Sequence, residues 1–148
     1  MPTGGKLAAG ILMMFAMAGG MITYLDDAGF EQTGWAQPII AAGLVGFWAG
    51  WSQLGTNLGR EFLHSGVFAI GSGMVALVFF ALIYGLRSAY ITHSGVQFAA
   101  AIDVIAHILD VGITVIQTTV ASKRTLAALV IGCLISGIVS EYCHRIWK

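Results

Sequence analysis

Asp103, His107 and Asp110 are the residues whose types and spacing come closest to chemistry in this chain of 148 residues. With Thr114 and Gln117 they follow spacings of 4, 3, 4 and 3. On a helix advancing about 100° per residue, that makes one narrow polar stripe. Two carboxylates and an imidazole on one face could bind a divalent cation or relay protons. The competing reading is the solvated face of a helix at a membrane surface. A metal would also need ligands from elsewhere in the chain. The stripe is therefore read as a polar face, with no metal assigned to it.

Other candidates are weaker. Met13, Met14, Met17 and Met21 fall largely on one side of a helix and could hold a soft ion such as Cu(I), but methionine is also an ordinary filler of irregular apolar space. Cys133 and Cys143 lie on one expected helix, roughly 15 Å apart, too far for a disulfide. Cys133 sits deep in an apolar run that disfavours a thiolate, so Cys143, beside His144 and Arg145, is the better candidate for a reactive thiol. Haem or pigment ligation needs a histidine within a span. His64 and His93 fall in links, His144 is at the tail, and Asp103 would crowd a macrocycle on His107. No Ser-His-Asp set, phosphate loop or dinucleotide fingerprint occurs. The expectation is a protein that is not an enzyme and carries no cofactor.

The elements that must position these residues are dictated by composition. Hydrophobic residues make up 57% of the chain and charged residues 9%, against roughly 25% charged in soluble domains. Most of the surface must face something other than water. Lys plus Arg and Asp plus Glu number seven each, so there is no net charge and no nucleic-acid footprint. Charge is missing between Lys6 and Asp26, Glu31 and Arg60, Glu61 and Arg87, and Arg124 and Glu141. Apolar runs of about 18 or more residues read as spanning helices, because a helix satisfies its own backbone where lipid cannot. The expected spans are about 7–25, 38–54, 65–86 and 125–146, within one membrane domain covering 1–148. Lys6, the following apolar run and Ala16-x-Ala18 resemble a secretory signal; the segment is read instead as the first membrane helix.

The segment 98–120 differs in kind, because its polar stripe opposes a broad aliphatic face. Two aspartates near a helix centre cost about 2.5–3.5 kcal/mol each on insertion, and the aliphatics return a similar total. Positive charges do not break the tie. Four spans with the N-terminus inside place Lys6, Arg60, Arg145 and Lys148 in the cytoplasm; five place Lys6, Arg60, Lys123 and Arg124 there. Clean amphipathicity favours a helix at the interface, and its acidic stripe suits the periplasmic side better than the anionic cytoplasmic leaflet. The expected fold is thus an all-α integral membrane protein with four transmembrane helices and one amphipathic interfacial helix, both termini cytoplasmic, in a bacterial inner membrane. Five transmembrane helices are the alternative.

Small residues repeat every four positions: Ala42, Gly46 and Gly50; Ala69 and Gly73; Gly132, Ser136 and Ser140. Such faces let helix backbones approach closely, a main source of attraction between helices in lipid. They serve packing within this chain, docking onto other integral membrane proteins or self-association. The readings are compatible.

One further pattern spans nearly the whole chain. Met1-Pro2-Thr3 with Lys6-Leu7, Gly34-Trp35, Gly43, Gly46, Trp51, Gly55, Gly59-Arg60, and the ending from Gly137 through Glu141-Tyr142 to Arg145 and Trp147-Lys148 together resemble the TrgA family. These are small membrane proteins named for tellurite resistance in Rhodobacter-type alphaproteobacteria. The resemblance rests on glycines, aromatics and end charges, not on a catalytic motif. It implies an inner-membrane location and a link to oxyanion or redox stress. A non-enzymatic membrane protein affecting tellurite tolerance is the first expectation. An accessory subunit of a respiratory or photosynthetic complex is the second, and a small metal-ion or proton transporter, resting on Asp103, His107 and Asp110, the third.

Overall fold

Long apolar runs without Pro or charge leave the backbone one economical solution, the helix. The computed structural model describes residues 4–29, 34–59, 61–93 and 101–147. Among these there is no strand. Five helices follow in order: α1 (Gly4–Asp27), α2 (Ala36–Ala49), α3 (Phe62–His93), α4 (Ala101–Ala121) and α5 (Lys123–Ile146), with a π-helical turn, Gly50–Leu54, continuing α2. Met1–Thr3, Glu31, Arg60, Phe98–Ala100 and Lys148, all used in the sequence reading, lie outside the described residues.

Among the described residues, four helices are long and apolar enough to cross a membrane: α1, α3, α4 and α5. This set differs from the four expected spans. It includes the amphipathic segment and omits the second helix, because the π turn divides 36–54 into two shorter pieces. The division is local. Gly50 keeps helical angles, and the Gly55 N–H closes the wider turn onto the Gly50 carbonyl at 2.7 Å. The helical course therefore still runs from Ala36 to Leu54, and Leu54 ends it as expected. It begins two residues before the expected Pro38, since proline is tolerated throughout a first turn whose N–H groups have no helical partner.

The bundle is built with small residues inside and large ones outside. Ala9, Ala49, Ala69 and Ala76 are fully buried, while Phe15, Leu44, Leu63, Met74 and Ile131 are exposed. In water that arrangement would waste the hydrophobic effect; in lipid, contact between backbones is what holds helices together. A Cβ on Gly46 would come within 2.7 Å of the Met13 carbonyl oxygen, and one on Gly137 within 2.8 Å of the Gly66 Cα.

Helix directions follow from these contacts. Gly43 and Gly46 of α2 meet Met14 and Met13 of α1, an antiparallel pair. Gly5, Gly20 and Ala16 of α1 meet His144, Leu129 and Gly132 of α5, again antiparallel. Along α3, Gly66 lies against Ile138 and Gly73 against Cys133, so α5 also runs against α3. Further along, Gly112 of α4 meets Ala81 and the Ile108 carbonyl of α4 meets Gly85, so α4 runs against α3 as well. Consecutive helices α4 and α5 therefore point the same way, broken only at Ser122. They do not form the up-and-down pair that two successive spans require.

The length of α3 makes room for this. Its 32 residues extend about 48 Å, against about 30 Å of bilayer hydrocarbon. Its first part packs on α5, and α4 packs along its later part, from Met74 and Leu77 to Ser88.

Candidate functional site

Polar side chains gather at the two ends of the bundle. At one end, the start of α1, the end of α5 and the turn Gly55–Gly59 converge. Gly5 lies against His144, Gly55 against Lys6 and Gly59 against His144. Beneath them is Glu141, a carboxylate with no solvent exposure. Its Oε2 accepts the Gly59 backbone N–H at 2.8 Å and the Ser65 hydroxyl at 3.0 Å. Its Oε1 accepts Arg145 Nε at 3.1 Å, one helical turn on. Arg145 is half exposed and its guanidinium lies 4.2 Å from the centroid of the Phe62 ring. Gly59 holds φ at +97°, a backbone region that side chains disfavour. A buried carboxylate is retained only when paired and hydrogen-bonded, and both oxygens are engaged here. The group fastens α5 to the turn between α2 and α3 and to the start of α3.

At the other end, Asp27 closes α1 onto α5. Its Oδ2 accepts the hydroxyls of Ser122 and, at 2.9 Å, Thr125. The Ser122 hydroxyl also accepts the Thr125 N–H at 3.2 Å, which makes it the N-cap of α5. Arg124 bridges Asp26 at 2.8 Å and reaches Asp27 at 3.5 Å, at an exposed position. Nearby, Arg87 of α3 donates to the Gln37 side chain of α2.

The polar stripe of α4 lies at this second end. His107 is half-buried and its Nε2 is 3.2 Å from the Ser88 hydroxyl of α3. Asp103, Asp110, Thr114 and Gln117 are exposed. Gly112, Val115 and Thr119 are buried, and Ile102, Ile105, Leu109 and Ile113 form an exposed apolar side. At about 100° per residue these sets divide the helix into three stripes: polar, protein-packed and apolar. Sequence reading resolved two of them; the packed stripe was hidden among the aliphatic residues. Among the described residues no three His, Cys, Asp or Glu side chains are grouped to hold a metal ion.

The remaining candidates fall into packing positions. Met13, Met17 and Met21 are buried, with Met14 half-buried, and Met13, Met14 and Met17 fill the space left by Gly43, Gly46 and Gly50. Cys133 is buried against Gly73, and Cys143 is a half-buried free thiol. His64 stacks on Phe68 with ring centroids 6.2 Å apart. Ala42, Gly46, Gly50, Ala69, Gly73, Ser136 and Ser140 are buried, and Gly132 is half-buried against Ala16. The Ser136 and Ser140 hydroxyls donate to the Gly132 and Ser136 carbonyls, so each is satisfied within its own helix.

The sequence reading used Glu141 and Arg145 only as charges at the end of the last apolar run and in the C-terminal pattern. What marks Glu141 as interior is its register: Cys133, Gly137 and Glu141 recur every four residues on the small-residue stripe.

No protein-family model, characterised protein or solved structure matches this chain.

Proposed function

We infer that the chain is a four-span inner-membrane protein whose role is structural, assembling with other integral membrane proteins and carrying out no chemistry of its own. In this reading α1, α2 with its π turn, α3 and α5 span, both termini are cytoplasmic, and α4 lies along the periplasmic side. The observation that carries it is the division of α4 into polar, packed and apolar stripes on the later part of α3. A helix at the interface presents such stripes to water, protein and acyl chains together. The parallel course of α4 and α5 argues against both of them being successive spans.

The polar groups of the interior are spent on architecture. Glu141 fastens a turn, and Ser72, Thr119, Ser136 and Ser140 bond to carbonyls of their own helices. A transport role would need Asp103 and Asp110 to line a route through the bundle, yet both face away from it. The resemblance to TrgA proteins supplies a physiological setting, tolerance of tellurite, which a structural membrane protein affects indirectly through its assembly.

The test is extraction in native lipid discs. Migration with other membrane proteins in a high-mass assembly, together with altered growth on tellurite after gene deletion, is the expected result. A free monomer in lipid discs overturns the assembly role, and unchanged tolerance removes the link to tellurite.

A further inference from the structure

Where α4 gives way to α5 at Ser122, an apolar groove against α3 has a cavity volume of about 80 Å³. Its walls include Met74 and Leu77 of α3, Val120 of α4, and Leu126, Val130 and Cys133 of α5. The hydroxyl of Thr119 also borders it, and this is already donated to the Val115 carbonyl at 2.7 Å. We propose that this groove seats one acyl chain of an anionic phospholipid whose headgroup is held by Lys123.

Two independent observations meet here. The first is shape and polarity. From Leu126 to Cys133 the groove runs about 10 Å along α5, and its volume admits a methylene chain but not a helix about 10 Å across. The second is charge. Lys123, Leu126, Val130 and Cys133 are spaced 3, 4 and 3 residues apart, which puts the lysine on the same stripe of α5 as the groove wall. Arg124 is occupied by Asp26 and Asp27, whereas Lys123 makes no ion pair among the described residues. A cation at the head of an apolar trough matches an amphiphile with a negative head, and a lysine stem lies readily along apolar surface while its ammonium stays at the boundary. The lipid would fill the groove at the Ser122 break, supporting the end of α4.

The proposal rests on the membrane placement given above, and its test separates the two. The full chain is purified in micelles containing equal phosphatidylglycerol and phosphatidylcholine, and retained lipids are counted by native mass spectrometry. The wild-type chain should retain phosphatidylglycerol over phosphatidylcholine by about fivefold, the preference expected of one near-surface lysine. Lys123→Gln should abolish the preference and Lys123→Arg keep it. Val130→Phe and Val120→Phe, which fill the groove from two helices, should each lower retention of both lipids. A preference unchanged in Lys123→Gln overturns the headgroup seat; retention unchanged in both phenylalanine variants overturns the acyl seat. Failure of the membrane placement itself has a different signature, labelling of Ser122→Cys from the cytoplasmic side in a background lacking Cys133 and Cys143.

Discussion

The backbone N–H of Gly59 and the carboxylate of Glu141 are 82 residues apart in sequence and 2.8 Å apart in space. This single bond ties the turn after the π segment to the end of α5. It explains why an acidic residue survives with no exposure among alanines and glycines. The same carboxylate takes Ser65 and Arg145, so the loop, the start of α3 and the last turns of α5 share one acceptor.

Removing that acceptor should be costly. Glu141→Ala leaves the Gly59 N–H and the Ser65 hydroxyl without their partner, with an expected loss of about 2–4 kcal/mol. Ser65→Ala removes one donor and should cost about 1 kcal/mol. Glu141→Gln keeps the shape and should fall between them. Thermal unfolding of the purified variants in one detergent gives the order; equal melting temperatures for all three would remove the fastening role.

How much of this was legible can be argued residue by residue. The charge-free runs marked α1, α3 and α5, because lipid tolerates few charges and a helix needs none. The ends were less legible. The expected third span stopped at Leu86, before Arg87, but α3 continues to His93. A charge ends an apolar run, not the helix, and Arg87 finds Gln37 on α2. The stripe of Asp103, His107 and Asp110 was visible from spacing alone. That Gly112 and Val115 turn a third side towards α3 was not, since a glycine and a valine inside an aliphatic run carry no directional signal. Burial of Glu141 depends on Gly59, a non-local partner that no local pattern announces.

Glycine contacts separate two kinds of small residue. A Cβ on Gly50 would meet the Ala9 carbonyl oxygen, a backbone atom that cannot yield, whereas one on Gly71 would meet nothing within 4 Å. Gly50→Ala should therefore destabilise by about 1–3 kcal/mol through overpacking. Gly71→Ala should be neutral or stabilising by up to about 1 kcal/mol, from helix propensity. Unfolding followed by tryptophan fluorescence in mixed micelles tests the contrast. Equal effects at both positions would show that the α1–α2 contact is not as close as described.

The Ser122 break depends on its hydroxyl, which caps α5 and donates to Asp27. Ser122→Ala should cost about 1 kcal/mol, the usual worth of an N-cap. Arg124→Ala should cost less than about 1 kcal/mol and only at low salt, because its bridge to Asp26 is exposed. Melting curves at low and high ionic strength distinguish them: the Ser122 effect should persist in salt and the Arg124 effect should fade.

The placement of α4 decides what its acidic stripe can do, and it can be read by accessibility. In a background carrying Cys133→Ala and Cys143→Ala, single cysteines are introduced on the three stripes of the helix. Asp110→Cys, on the exposed polar stripe, should react rapidly with a membrane-impermeant maleimide from the periplasmic side. Ile113→Cys, on the exposed apolar stripe, should react slowly, because acyl chains cover it. Val115→Cys, buried against α3, should be protected until the protein unfolds. A cysteine appended after Lys148 should label only from the cytoplasm. In the proposed placement water solvates Asp103 and Asp110 at the interface, whereas at the bilayer centre each carboxylate would cost about 2.5–3.5 kcal/mol. Protection of Asp110→Cys from both sides, with labelling of Lys123→Cys from the cytoplasm and of the C-terminus from the periplasm, would mean that α4 crosses. Asp103, His107 and Asp110 would then be intramembrane ionisable groups, for which transport is the default reading.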